Sequence, residues 1–382
     1  MNKILTLFIS LYILLLASCA AGGGNTVEAD GQEVEMKYAT RLTLRHADGF
    51  TLAEVRNPWD TTAVLHRYVL VPSGAPLPKE LPAGDVVRTP LRNAAVTTSV
   101  HCGLMGELGA ADAIKGVCDL EYINLTAVRQ GVERGSIKDL GSSMTPNIEL
   151  LMAMHPDAIF ISPFENSGSY GKLGKLRIPI IECADYMETN PLGRAEWIRF
   201  YGALLGKERE ADSIFAAVEE AYTEMKALAA QQQTRPTVVT EMKIGSTWYV
   251  AGGNSTVGIL IRDAGGSYIF SDVASGGAVP YSPEQVFDKA QKADYWLIKY
   301  NQATDMTLRE LSAAWTSNKY MEAYKRGRVY GCNLSKTRFF EETPFHPDIL
   351  LKEYIHILHP DIALPYADTQ SGGKTYFKRI QP

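Results

Sequence analysis

Cys19 is the first residue whose position predicts a covalent modification. It ends the segment Leu16-Ala17-Ser18-Cys19, the small-residue cleavage pattern of a bacterial lipoprotein, in which the cysteine is acylated and becomes the new first residue. The apolar run before it, Ile4 to Leu16, has 13 residues, fewer than the roughly 20 that a membrane-spanning helix needs. We therefore predict a lipoprotein signal peptide over residues 1–18 and a lipid-anchored chain in the cell envelope, facing the periplasm or the cell exterior. An ordinary secretory signal with a chance cysteine is the alternative.

Aromatic and charged side chains follow the predicted strands, in the loops where parallel α/β folds bind ligands. Aromatic rings offer flat apolar contact area, and the cations of Lys299 and Arg338 suit carboxylates or an anionic chelate. The candidate ligand-binding residues are His101, Tyr122, Phe164, Glu165, Tyr170, Trp248, Tyr249, Lys299, Arg338, Phe339 and Phe340.

Metal-binding and catalytic motifs are not recognisable in the chain. Of seven histidines only His101 falls in one of these loops, whereas capture of a bare transition metal needs several converging His and carboxylate ligands. His101 as an axial haem ligand, His101 as a plain loop residue, and tyrosine phenolates as iron ligands all stay open. There is no GxSxG elbow and no phosphate-binding glycine fingerprint. We predict no catalytic residue and no resident cofactor, with a lipoprotein enzyme acting on a metal chelate as the weaker alternative.

The charge of the chain limits its expected partners, and its cysteine content limits the possible disulfides. The chain carries 38 Lys and Arg against 43 Asp and Glu, a formal net charge of −5, without a dense basic run. Nucleic acid is therefore not an expected partner. Cys102, Cys118, Cys183 and Cys332 follow Cys19, and they permit three disulfide pairings or remain buried thiols.

Short apolar strands alternate with helical segments along most of the chain, which indicates parallel β-α units. The predicted strands are 95–99, 114–117, 158–162, 178–181, 237–241, 294–298 and 328–332. Between the strand at 178–181 and the strand at 237–241, the segment from Lys207 to Gln231 has apolar residues on a 3.6-residue period, which predicts one amphipathic helix. Before them, alternating residues around Ala47-Asp48-Gly49 predict a β-hairpin, followed by a proline-rich loop.

The expected architecture is α/β, with two parallel-sheet lobes joined by one long connector helix and an N-terminal β-hairpin extension. The predicted boundaries are 1–18 for the signal peptide, 19–35 for a flexible tether, 36–92 for the extension, 93–195 for the first lobe, 196–233 for the connector helices and 234–382 for the second lobe.

The order of several motifs resembles that of class III substrate-binding proteins of ABC importers, the family that handles ferric siderophores, haem and cobalamin. The resemblance runs from about Arg88 to Pro365. Its motifs are Asn147-Ile148-Glu149 leading into His155-Pro156-Asp157, then Ser282-Pro283-Glu284-Gln285-Val286, the connector helix, and Phe345-His346-Pro347-Asp348 running into His359-Pro360. The N-terminal extension has no counterpart in the minimal family fold.

This resemblance implies that a small-molecule metal chelate binds between the lobes and is delivered to an ABC importer permease with its ATPase. In the family, one glutamate on each lobe pairs with permease arginines, and Glu149 and Glu284 match these two positions. A carboxylate in the first turn of a helix is also favoured by the helix dipole. The expected ligand is a ferric siderophore or haem, and cobalamin is the alternative.

Overall fold

The computed structural model describes residues 31–60, 62–165, 170–365 and 375–382. The predicted signal peptide and Cys19 lie outside the described residues. Within those ranges, no helix combines the length and the apolar character needed to cross a membrane.

The N-terminal extension is a five-stranded sheet, larger than the predicted hairpin. Its strands are β1 (Gly31–Val34), β2 (Leu42–Ala47), β3 (Phe50–Arg56), β4 (Val64–Pro72) and β5 (Asp85–Thr89). The predicted turn is confirmed, because β2 and β3 pair antiparallel around Gly49, which has a φ of +82°. β4 then pairs antiparallel with β3, and β5 pairs parallel with β4 after the proline-rich loop. The sequence prediction missed this last pairing because it joins strands across the loop.

Two buried carboxylates attach the extension to the end of the first lobe and to the start of the connector helices. Glu196 accepts hydrogen bonds from three successive backbone N–H groups, those of residues 37–39, at 2.7 to 2.9 Å. Glu188 accepts two more, from residues 40 and 41, at 3.0 and 2.8 Å. Buried charges are tolerated where such donors surround them. The extension is therefore fastened at defined points, a packing arrangement about which the sequence made no prediction.

The first lobe is a parallel sheet in the order β10-β9-β6-β7-β8. Its strands are β6 (Ala94–Val96), β7 (Ile114–Val117), β8 (Lys138–Asp139), β9 (Ala158–Ile161) and β10 (Ile180–Glu182). Its helices are α1 (Ser99–Glu107), α2 (Thr126–Glu133) and α3 (Ile148–Met154). The Tyr68 hydroxyl of the extension donates to the Ile180 carbonyl at 2.9 Å and accepts the Glu182 N–H at 2.7 Å. It thus covers the free edge of β10.

Three consecutive helices join the lobes: α4 (Pro191–Glu196), α5 (Ile198–Leu205) and α6 (Glu208–Ala230). Helix α6 confirms the predicted connector to within one residue at each end. It buries one stripe that includes Ala211, Phe215 and Val218. At 1.5 Å per residue, its 23 residues span about 35 Å.

The second lobe is a sheet in the order β14-β11-β16-β17-β18, parallel except for β18, with a three-stranded antiparallel sheet, β12-β13-β15, beside it. Its strands are β11 (Thr237–Thr240), β12 (Lys243–Ile244), β13 (Thr247–Ala251), β14 (Ser267–Tyr268), β15 (Ala278–Tyr281), β16 (Tyr295–Tyr300), β17 (Val329–Asn333) and β18 (Lys378–Arg379). Its helices are α7 (Thr256–Asp263), α8 (Pro283–Ala290), α9 (Leu308–Ala314), α10 (Glu322–Lys325), α11 (Phe339–Glu342) and α12 (Pro347–Leu358). The mixed α/β class with parallel sheets is thereby confirmed.

All four described cysteines, Cys102, Cys118, Cys183 and Cys332, are free and buried. Burial raises the pKa of each thiol. The sequence left open whether these cysteines form disulfides or remain buried thiols, and in the structure they are buried thiols.

Candidate functional site

The two lobes meet where a loop of the first lobe binds the start of helix α11 in the second. The Glu341 carboxylate accepts the backbone N–H groups of Asn124 and Leu125 at 2.9 and 2.8 Å, and the Asn124 amide donates to the Thr337 carbonyl at 3.1 Å. A Cβ atom at Gly103 on α1 would overlap the Glu341 carbonyl oxygen, so glycine permits this approach. The loop after β7 and the segment after β17 are therefore held together.

Two predicted ligand residues flank this interlobe contact. Tyr122 precedes Asn124 by two residues and is 57% exposed, and Phe340 is adjacent to Glu341 and is 46% exposed. Both follow the carboxyl ends of parallel strands, as the prediction required. Each exposed ring thus lies within two residues of the contact that joins the lobes.

Arg338 precedes Phe340 by two residues, but its charge is already engaged. Its guanidinium lies 3.5 Å from Glu341 and 3.1 Å from Glu342. It lines a cavity of about 530 Å³ beside the connector helix, together with Ile214 and Val218. Pairing with a ligand anion would therefore compete with two carboxylates of its own turn.

Lys299 and Tyr249 lie on neighbouring parts of the second lobe. Lys299 near the end of β16 forms an ion pair with Glu241, the residue that follows β11. Its side chain is 19% exposed. Tyr249 on β13 is 48% exposed, because alternate residues of a strand point to opposite faces. Its neighbours Trp248 and Val250 point inward and are fully buried.

Three predicted ligand residues are core residues instead. Trp248 has no exposed surface; it stacks on Trp296 with ring centroids 5.6 Å apart and donates its indole N–H to the Thr240 carbonyl at 3.0 Å. Phe339 is 7% exposed and packs edge-on against Phe377. The side chains that could face a cleft are the next residues along the chain, Tyr249 and Phe340.

His101 is the third of these residues, and it lies in the first turn of α1, where a loop was expected. It is 2% exposed, and its Nε2 lies 3.0 Å from both Asp185 Oδ1 and the Tyr201 hydroxyl. Arg194 donates to the same carboxylate at 3.0 Å. Burial by itself raises the pKa of Asp185, but the charges of His101 and Arg194 outweigh it and lower that pKa to about 2. Since both its ring nitrogens have protein partners, His101 holds the first lobe together and has no free nitrogen for haem.

Phe164, Glu165 and Tyr170 line a cavity of about 1250 Å³ between the first lobe and the N-terminal sheet. The Tyr170 hydroxyl donates to the buried Glu182 carboxylate at 2.5 Å. Every described residue of this lining lies between 57 and 182, so the second lobe takes no part in it. The cavity is therefore distinct from the interlobe region of Tyr122 and Phe340.

Sequence reasoning missed the other walls of this cavity. Trp59, His66 and Asp85 come from the extension, whose packing site the sequence does not reveal. Lys172, Lys175 and Arg177 come from the segment before β10. Three cations within six residues were a readable signal, but without the extension nothing indicated a pocket there.

Glu149 and Glu284 occupy equivalent places on the two lobes. Both are exposed and lie in the first turn of a helix, α3 and α8. The Asn147 side chain caps α3, and Ser282 with Gln285 forms the predicted capping box on α8. Neither glutamate forms an ion pair with another described residue.

No group of three or more His, Cys, Asp or Glu side chains within residues 31–60, 62–165, 170–365 and 375–382 is placed to hold a metal ion.

Comparison with known proteins identifies the family of this chain and proteins with a similar fold. Residues 94–334 match the sequence model of the family described as periplasmic binding protein. An uncharacterized lipoprotein of Methanocaldococcus jannaschii is 26% identical over 368 residues, covering 90% of this chain and 84% of the relative. The Fe³⁺-Desferal-bound siderophore-binding protein FhuD from Vibrio cholerae has a TM-score of 0.51 at 18% identity, covering 70% of this chain and 99% of that chain. S. aureus IsdE complexed with haem has a TM-score of 0.53 at 16% identity, covering 70% and 98%.

Proposed function

Because the chain belongs to the periplasmic binding protein family, we propose that it captures an iron chelate between its two lobes and delivers the chelate to an ABC importer permease with its ATPase. The chelate is a ferric siderophore or haem. The protein acts by binding, without chemical change to the ligand, from a lipid-anchored position in the cell envelope.

The observation that carries the proposal is the pair of exposed rings, Tyr122 and Phe340, beside the contact between the lobes. Exposed aromatic rings at the carboxyl ends of parallel strands suit a bulky planar or catecholate ligand. The V. cholerae relative in fold is bound to Fe³⁺-Desferal and the S. aureus relative to haem, which supports the same ligand class here.

Ligand identity is tested by titrating the purified protein with haem, cobalamin, a ferric catecholate, a ferric hydroxamate, Zn²⁺ and Mn²⁺. We expect tight binding of one iron chelate and its recovery unaltered. Tight binding of cobalamin alone would select the alternative ligand, and tight binding of a bare metal alone would overturn the proposal. Recovery of an altered chelate would indicate an enzyme.

The binding site is tested with Tyr122→Ala and Phe340→Ala. Each variant should lose about 1 to 3 kcal/mol of binding free energy if its ring packs on the ligand. Tyr320→Ala is the matched control, because Tyr320 is 54% exposed elsewhere on the second lobe. Unchanged affinity in both cleft variants would place the chelate elsewhere.

We further propose that Glu149 and Glu284 dock the protein on the permease. Two exposed carboxylates on separate lobes, neither ion-paired within the described part of the chain, can each meet a cationic patch and guide association. Reversal of both to Lys should leave ligand affinity within a few-fold while transport with the cognate permease falls sharply. Lost ligand binding in a folded double variant would contradict this assignment.

The lipid anchor is proposed on two grounds: the cleavage pattern that ends at Cys19, and the M. jannaschii relative, which is a lipoprotein over a similar length.

A further inference from the structure

The cavity between the N-terminal sheet and the first lobe is a second candidate binding site, separate from the interlobe region. Its volume of about 1250 Å³ is sufficient for an organic ligand, since such pockets usually measure about 300–1,000 Å³. Part of its wall comes from residues 57–86, which precede the family match at residue 94. The cavity thus depends on a part of the chain outside the family model.

One wall of the cavity is cationic. Lys172, Lys175 and Arg177 are all exposed, and none of them forms an ion pair with another described residue. The segment is fixed at its centre by Leu173, whose side chain is buried in the first lobe. Three cations are therefore held on one short, anchored stretch.

The carboxylates of the cavity are mostly engaged by neighbours. Asp60 accepts the Thr62 hydroxyl at 2.7 Å, His66 lies 3.0 Å from Asp85, and Glu182 accepts the Tyr170 hydroxyl. Only Glu165 has no such described partner. Hydrogen bonds from hydroxyl groups do not neutralise carboxylates, so the lining holds four carboxylates as well as the three cations. The positive charge is concentrated on the stretch 172–177, which contains no acidic residue.

The lining of the cavity also contains two exposed or partly exposed aromatic rings. Trp59 lies in the loop between β3 and β4, where its backbone N–H is fixed by the Asn57 side chain at 2.9 Å, and its indole is half-buried. Phe164 of the first lobe is 56% exposed in the same cavity. Flat rings bind well to such faces, and an acidic group on the ring system would be attracted to the cationic wall.

We propose that this cavity binds an organic anion that carries a flat aromatic or conjugated ring system. The ring packs on Trp59, and the anionic group pairs with Lys172, Lys175 and Arg177. The site is independent of the interlobe region, because the second lobe contributes no described residue to it.

The test uses two fluorescent probes with the same ring and opposite charge, 1-pyrenesulfonate and 1-pyrenemethylammonium. The wild-type protein should bind one equivalent of the sulfonate at least about tenfold more tightly than the ammonium, since several cations face one anion. Substitution of all three cations by Gln should remove this preference. Equal binding of the two probes by the wild type would overturn the proposal.

The matched control is the triple variant K115Q/R134Q/K138Q, which removes the same charge at the opposite edge of the same sheet, near β7 and β8. It should bind pyrenesulfonate within about twofold of the wild type, whereas Trp59→Ala should weaken both probes about fivefold. Equal loss in the control would reduce the effect to net charge and refute the site. Thermal unfolding of each variant confirms that it is folded.

The two variants near the interlobe contact distinguish a failure of this proposal from a failure of the proposed function. Tyr122→Ala and Phe340→Ala should not change pyrenesulfonate affinity, whatever they do to the iron chelate. If they abolish pyrenesulfonate binding, the probe lies between the lobes and the second site is refuted.

Discussion

An ion pair between the lobes makes the protein's stability depend on pH. His346, at the start of α12, contacts Glu107 at the end of α1 through Nε2, and its Nδ1 lies 3.4 Å from Asp348. Its side chain is 17% exposed. Burial alone lowers the pKa of His346, but the hydrogen bonds and charges of Asp348 and Glu107 outweigh it and raise that pKa from 6.5 to about 10.

Because the pKa of His346 is raised on folding, its contribution to stability decreases as the pH rises. Because the folded pKa lies above the unfolded value, the stabilisation is fully present below pH 6.5 and is lost as the pH rises toward about 10. One pH unit in this window changes the contribution by at most about 1.4 kcal/mol. Between pH 6 and pH 8.5 the stabilisation due to His346 should therefore fall by about 2 kcal/mol.

The perturbation is His346→Gln, and the assay is urea unfolding at pH 6 and pH 8.5. At pH 6 the substitution leaves two carboxylates unpaired and should lower the free energy of unfolding by about 3 kcal/mol. At pH 8.5 the loss should be about 1 kcal/mol. His356→Gln, on the exposed face of the same helix, is the control and should change stability by less than about 1 kcal/mol. A loss that is the same at both pH values would refute the argument.

Three further predictions concern other parts of the molecule. Burial raises the pKa of Glu353 to about 7, so its ionisation destabilises the fold as the pH rises above 4.5. Glu353→Gln should therefore raise the free energy of unfolding by about 2 kcal/mol more at pH 8 than at pH 4.5. An equal effect at both pH values would contradict this. The long helix Glu208–Ala230 resists the backbone changes of a hinge. Small-angle scattering should therefore give nearly equal radii of gyration with and without the bound iron chelate. A change of several ångströms would count against a rigid connector. Cys19→Ala should release the protein from membranes washed with carbonate, and retention of the variant would show that no lipid is attached there.

Much of the fold was predictable because its signals are local. The apolar strands around residues 114–117 and 158–161, the 3.6-residue period of α6 and the capping box at Ser282 each depend on residues close in sequence. The hairpin at Gly49 was found for the same reason. The five-stranded extent of the extension was missed, because β5 pairs with β4 only after a loop whose path the sequence does not specify.

The candidate site was predictable only in part, because exposure is decided by neighbours distant in sequence. Strand ends could be read, so Tyr122 and Phe340 were predicted in the loops that follow them, and both are exposed. Tyr249 is also exposed but lies within β13, where a loop was expected. Trp248 and Phe339, each next to one of these residues, have the same kind of aromatic side chain but face the interior. A shift of one residue reverses the direction of a side chain in a strand and turns it by about 100° in a helix, and residue type alone does not resolve that choice.

What the sequence determined is therefore the order of the elements, their approximate ends and the residue types at the strand termini, because these depend on local periodicity and capping. Only the tertiary structure decided that His101 is enclosed by Asp185 and Tyr201, that Glu341 joins the lobes through Asn124, and that the extension forms a cavity with the segment before β10. These contacts join residues 84 to 217 positions apart in the chain. Their geometry arises from packing and desolvation of the whole fold, which no local pattern encodes.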